Sequence, residues 1–159
     1  MGGSGYPKRK RMRLEGFDYD APGFAYSITI CTHRGKQVFG EPRAAQAVVA
    51  ELRRLGGEGI ASVHCYCVMP DHVHVVLSVR EGGPGLPSAI RRLKTWVCRR
   101  LHEAGTEGPV WQRSYYQHIV RAEEGLAEVC EYVLANPVRK GLAAAPEQWP
   151  YSGFLEGWL

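Results

Sequence analysis

A chain of 159 residues with an apolar fraction of 45% is enough for one domain with a real core. The formal charge is only +4, but the Lys and Arg residues are clustered, which matters more than the total. No apolar run approaches the length of a membrane span, and no apolar stretch follows the basic N-terminus, so neither a spanning helix nor a secretory signal is expected. Five cysteines, an odd number without framework spacing, predict reduced thiols in a cytoplasmic protein.

In chain order, a glycine-rich lead precedes Lys8, Arg9, Lys10, Arg11 and Arg13. Such a cluster suits a polyanion through counterion release, or it is a solvated tail. Residues 1–22 read as a basic N-terminal segment, 23–145 as the single domain and 146–159 as an aromatic tail that caps it. Phe24 to Thr32 alternates and is rich in aromatic and β-branched residues, the pattern of a first strand. Glu41-Pro42 opens a helix with Ala45, Val48, Val49, Leu52 and Leu55 on one face, and Gly56-Gly57 stops it. A second strand runs from about Ile60 to Met69. The Pro70-Asp71 turn sends the chain into a third strand beginning at His72, antiparallel to the second.

The next helix, about Ser88 to Glu103, carries Ile90, Leu93, Val97 and Leu101 on one face. Arg91, Arg92, Lys94 and Arg99 lie on or toward the other. This second cationic cluster raises the case for nucleic acid. Tyr115 to Arg121 reads as a fourth strand. Glu123-Glu124 begin a third helix, with Leu126, Val129, Cys130 and Val133 as its buried stripe and Asn136-Pro137 as its end. The order β-α-β-β-α-β-α predicts an α+β fold: a ferredoxin-like sandwich on a central antiparallel sheet, with an additional C-terminal helix.

Two places carry candidate chemistry. His72 and His74 project from the same side of a strand, about 7 Å apart along it, while Val73 and Val75 point into the core. The pair is half a metal site, or two hydrogen-bonded surface histidines. On the third helix Tyr132 falls outside the apolar stripe, and Asn136 lies four residues on. Tyr132 is a partly buried ring or a nucleophile. A phenol is protonated at neutral pH and needs a metal or a base to activate it.

These residues carry a resemblance. His72-Val73-His74 resembles the histidine-hydrophobe-histidine motif of HUH single-strand DNA nucleases, and Val68-Met69-Pro70-Asp71 resembles the phrase that precedes it in single-tyrosine insertion-sequence transposases. Trp111-Gln112-Arg113, Tyr116, His118, Arg121, the run from Tyr132 to Leu142 and Trp149-Pro150-Tyr151-Ser152 resemble the signature of REP-associated tyrosine transposases. So does the opening, Arg11 to Leu14 and Gly16 to Tyr19. The resemblance covers nearly the whole chain; the triplet alone is weakly specific, the ordered set strongly so.

The resemblance implies that His72 and His74 hold magnesium or manganese, that Asn136 completes the metal site, and that Tyr132 attacks the scissile phosphate of single-stranded DNA to leave a 5′-phosphotyrosine. It further implies a homodimer that recognises a DNA hairpin. The N-terminal cluster (Lys8, Arg9, Lys10, Arg11, Arg13) and the basic helix (Arg91, Arg92, Lys94) are the candidates for holding the hairpin. Spacing does not separate Tyr132 from Tyr115 or Tyr116; the family phrase and the polar helix face favour Tyr132. Two other readings are a hairpin-binding protein or repressor without turnover, and a structural zinc protein. The latter would use His64, Cys65, Cys67 and the histidine pair, which strand alternation keeps apart unless a bulge intervenes.

Overall fold

Tyr26, Ile28 and Ile30 are completely buried and alternate with Ser27, Thr29 and Cys31 along the first strand. This alternation gives β1 one apolar and one more polar side. The computed structural model describes residues 24–120 and 125–155. Its elements are β1 (Ala25–Cys31), α1 (Pro42–Gly57), β2 (Ala61–Met69), β3 (His72–Val79), α2 (Leu86–Glu103), β4 (Tyr116–Val120), α3 (Leu126–Leu134), α4 (Asn136–Arg139) and β5 (Ser152–Phe154). The sheet order is β4-β1-β3-β2-β5 and every pairing is antiparallel. The first four strands therefore show the expected ferredoxin-like arrangement.

The apolar face is covered by α1 and α2. Leu52 and Leu55 from α1 and Ile90, Leu93 and Val97 from α2 pack on Ile28, Val63, Val73, Val75 and Leu77. Most of the burial lies here, and truncating one such leucine costs about 2–5 kcal/mol. The other face carries a smaller core, in which Val129, Cys130 and Val133 of α3 pack on Cys65, Cys67, Met69 and Val76. The third helix thus lies across the sheet from α2. Burial pushes the Cys67 thiol up to about 12, and all five cysteines are free thiols.

Three features depart from the expected order. The third helix does not run to Asn136-Pro137. It ends at Leu134, and after Ala135 a short α4 begins at Asn136. Proline is tolerated in the first turn of a helix, where its missing N–H has no carbonyl to meet. Part of the aromatic tail is β5, hydrogen-bonded along β2. Trp149 Nε1 donates to the Val68 carbonyl at 3.0 Å and Val68 N donates to the Tyr151 carbonyl, so the tail covers a sheet edge that would otherwise stay unpaired. A β-bulge also falls between Val63 and Cys65. The first helix and the four principal strands lie within about a residue of their expected places, and α2 begins two residues before Ser88. The basic segment with Lys8, Arg9, Lys10, Arg11 and Arg13, the fourth strand's Arg121, and Glu123-Glu124 lie outside the described residues.

Candidate active site

The hairpin turn between β2 and β3 is fixed from outside. Thr32 donates both its backbone N–H and its hydroxyl to the Asp71 carbonyl, each at 3.0 Å, and Phe39 N donates to the Pro70 carbonyl at 2.9 Å. The turn delivers Asp71 beside His72. His72 Nδ1 meets Asp71 Oδ1 at 2.9 Å, and this bond holds the Asp71 carboxyl below the usual carboxylate range. A carboxylate on one ring nitrogen fixes the tautomer and leaves Nε2 with a lone pair, the usual support of a metal-binding histidine.

His74 follows on the same side of β3, deeper in the fold. Its Nε2 shares a 3.0 Å hydrogen bond with Ser27 Oγ of β1. Burial, with the charges of His72 and Arg139 nearby, pushes its imidazole down to about 3. It is therefore neutral, the form that binds metal.

The third partner comes from the other core. Gly125 opens α3 at φ +77°, where a Cβ would stand 3.1 Å from the Glu128 carboxylate, so glycine suits this start. The helix then carries Tyr132 and, through the Ala135 break, Asn136. The Asn136 amide, 7% exposed, brings Nδ2 to 3.2 Å from His72 Nε2. Arg139 closes the group. Its Nη1 donates to the Tyr132 carbonyl at 2.9 Å, its Nη2 reaches Asn136 Oδ1 at 3.5 Å, and its guanidinium lies 3.8 Å over the Tyr132 ring. Sequence reasoning gives no role to Ser27 or Arg139, and marks Asp71 only as part of a phrase. The advance signals for Arg139 are its place in the run from Tyr132 to Leu142 and its spacing of seven residues after Tyr132, about two helical turns.

Two imidazoles and one amide, with a carboxylate orienting the outer histidine, fit a divalent ion that also takes oxygen from a ligand. Among the described residues no group of three or more His, Cys, Asp or Glu is gathered for a metal; the histidine pair is joined by an amide instead. The bulge after Val63 is the one a zinc reading needed, yet His64 Nε2 bonds Ser78 Oγ at 2.9 Å, and Cys65 and Cys67 pack against Cys130.

Other candidates fall elsewhere. Tyr115 packs against the α1–α2 core, and Tyr116 pairs with Thr29 on β4 at the sheet edge. Arg91 and Arg92 are exposed on α2, on the face of the sheet away from the histidines. Lys94 differs from them. Its Nζ donates to the carbonyls of Gln112 and Arg113 at 2.9 and 3.4 Å, Trp111 Nε1 donates to the Lys94 carbonyl, and burial pushes the Lys94 ammonium down. Lys94 therefore pins the Trp111-Gln112-Arg113 segment, so its ammonium is already engaged and is a poor candidate for a phosphate contact.

The buried His74 has a consequence for stability. In the unfolded chain a histidine titrates near 6.5, and in this fold His74 does so near 3. Between those values the unfolded state takes a proton that the folded state refuses. The contribution is complete above about pH 6.5 and falls as pH drops, by about 1.4 kcal/mol per unit. Denaturation of the metal-free protein between pH 4 and 8 should show this loss, and His74→Gln should flatten it. An equal slope in the variant would assign the acid sensitivity to other groups.

Comparison with known proteins joins the site to a family. Residues 21–136 match the family model described as "Transposase IS200 like". The chain belongs to the IS200-like transposase family. The match spans both histidines, Tyr132 and Asn136, and stops short of Arg139 and β5. Among curated relatives, a Haemophilus influenzae protein provisionally named a REP-associated tyrosine transposase is 31% identical over 98 residues, 55% of this chain and 56% of that one. The Escherichia coli K12 REP-associated tyrosine transposase is 26% identical over 92 residues, 58% of this chain and 53% of that one. The chain thus spans about half the length of these two curated relatives. Among solved structures, that of a REP-associated tyrosine transposase bound to a REP hairpin superposes with a TM-score of 0.67 at 21% identity, covering 88% of this chain and 82% of that one. It shares this fold.

Proposed function

We propose that this chain is a single-strand DNA transposase and endonuclease that cleaves and rejoins DNA at hairpin-bearing sequences through a covalent tyrosine intermediate. The observation that carries the reading is the 3.2 Å contact between Asn136 and His72, which sets the start of α4, directly after the helix bearing Tyr132, against the first of the two histidines. The hairpin-bound structural neighbour and the REP-associated relatives support DNA hairpins as the substrate class.

Magnesium or manganese, held by His72, His74 and Asn136, would neutralise charge on the scissile phosphate and ease attack on it. Asp71 keeps the His72 ring in one tautomer, and Ser27 Oγ orients the His74 ring through its Nε2. The Tyr132 hydroxyl loses its proton and its oxygen bonds phosphorus. The 3′-oxygen leaves phosphorus and takes a proton. The products are a 5′-phosphotyrosine and a free 3′-hydroxyl, and attack by a 3′-hydroxyl on that ester rejoins the strand and frees the tyrosine. Action as a homodimer in the cytoplasm belongs to the same proposal. No described helix is long and apolar enough to cross a membrane.

The test is an end-labelled single-stranded hairpin set beside a duplex of the same sequence, both incubated with magnesium. Cleavage of the hairpin strand alone supports the reading. Equal cleavage of the duplex overturns it, and so does hairpin binding without cleavage, which would leave a repressor-like binding protein on this fold.

Lys8, Arg9, Lys10, Arg11 and Arg13 are proposed to grip the hairpin, with Arg91 and Arg92 as further phosphate contacts. Neutralising Lys8 to Arg11 should flatten the salt dependence of affinity by roughly 0.7–0.9 log units per decade of salt for each phosphate no longer neutralised. An unchanged slope transfers the role to Arg91 and Arg92.

A further inference from the structure

Arg139 links two parts of the site, the Asn136 amide beside His72 and the Tyr132 ring and carbonyl. The bonds form one unbroken series. His72 Nδ1–H faces the Asp71 carboxylate, His72 Nε2 accepts from Asn136 Nδ2, Asn136 Oδ1 accepts from Arg139 Nη2, and Arg139 Nη1 donates to the Tyr132 carbonyl while its plane covers the Tyr132 ring. Every donor in the series has an acceptor, so the amide orientation of Asn136 is determined. Its nitrogen faces the histidine and its oxygen faces Arg139. That is the wrong way round for a hard divalent ion, which takes the oxygen.

We propose that Arg139 is a positioning residue that couples loading of the metal site to release of the nucleophile. To offer Oδ1 to an ion beside His72, Asn136 must turn its amide, and the turn breaks both its bond to His72 and its bond from Arg139. The guanidinium then keeps only the Tyr132 carbonyl and the ring face. An exposed guanidinium fork with one acceptor gone is free to turn its donors to a phosphate, and the ring it covered is uncovered. Without an ion, Arg139 holds Tyr132 capped and Asn136 reversed; with one, both are let go together. This inference rests on the proposed roles of His72, Asn136 and Tyr132.

The coupling predicts a split that a merely structural residue would not give. Removing Arg139 removes a competitor for Asn136 Oδ1, so manganese should bind more tightly. The phosphate, however, loses its helper, so adduct formation should slow. Free manganese is read by its electron paramagnetic resonance signal, without DNA or turnover. Arg139→Met and Arg139→Lys should each tighten manganese binding about fivefold or more, the lower end of measured coupling between sites, while the single-turnover rate of adduct formation falls about tenfold. The lysine variant keeps the charge and loses the planar fork. It therefore separates a displaced hydrogen bond from simple repulsion between cations. In wild type, magnesium should also shift the ring signal of 13C-labelled Tyr132, assigned with Tyr132→Phe, and the shift should be lost in Arg139→Met.

Unchanged or weaker manganese binding in both variants overturns the coupling, as does tightening confined to Arg139→Met. A wild type that binds no manganese overturns it as well. Failure of the proposed function reads differently: wild type then forms no adduct at Tyr132, whatever the variants do to manganese affinity. Arg139 is exposed on a short helix, and circular dichroism of each variant confirms the fold before binding is compared.

Discussion

Tyr132→Phe should bind the hairpin strand as wild type does and form no covalent adduct with it. The substitution removes one oxygen and keeps the ring, so the stack under the Arg139 guanidinium and the bond to the Tyr132 carbonyl persist. The packing of α3 through Val129, Cys130 and Val133 is untouched. These contacts should therefore persist, and the expected effect falls on chemistry. Loss of the nucleophile should cost at least about a thousandfold in rate, or ~4 kcal/mol of barrier. Wild type incubated with labelled single strand should give a band that survives denaturation, with the label on the tryptic peptide containing Tyr132. Label on the peptide with Tyr115 and Tyr116 would reassign the nucleophile to β4 or its lead-in. A wild-type cleavage rate in Tyr132→Phe would point to an activated water, and the protein would be a hydrolytic nuclease instead of a strand-transfer enzyme.

His72→Ala and His74→Ala should each abolish cleavage, again by about a thousandfold or more, as should EDTA with the wild type. Both variants should keep most hairpin affinity, because phosphate contacts supply it. The two substitutions are not equivalent for the fold. His72 has an 18% exposed side chain and is held by Asp71 and Asn136, so its loss frees polar groups that water reaches. His74 is buried against Ser27, so its removal leaves a cavity and an unpaired hydroxyl and should cost about 1–3 kcal/mol of stability. His74→Gln keeps polar bulk and is the better probe of chemistry. Activity untouched by chelator would remove the metal from the reading. Cleavage restored to His72→Ala by excess manganese would make His72 a helper and not an essential ligand.

Much of the architecture is written locally. Alternation in Phe24 to Thr32 and in the strand from His72 is a period-2 signal that each segment carries alone, so the strands, and the shared side of His72 and His74, follow from sequence. The three principal helices follow from apolar spacing in the same way. The four-residue step from Tyr132 to Asn136 predicts neighbours, and the chain keeps them on successive turns even though α3 breaks at Ala135, because α4 takes over at once.

What the sequence by itself determined is thus the element order, the paired histidines and the candidate nucleophile. The tertiary structure alone decided that α3 covers the face bearing the histidines while α1 and α2 cover the other. That choice separates the histidines from Arg91 and Arg92. It also decided that Lys94 is held by Gln112 and Arg113, that Ser27 backs His74, and that β5, three residues long, closes the edge of β2. None of these has a local period to read. Each joins residues far apart in sequence and becomes favourable only once the sheet has brought them together, and a three-residue strand is too short to show alternation before its partner is present. Arg139 belongs to both kinds. Its spacing from Tyr132 is local, but its reach to Asn136, and through it to His72, exists only because α3 and β3 meet.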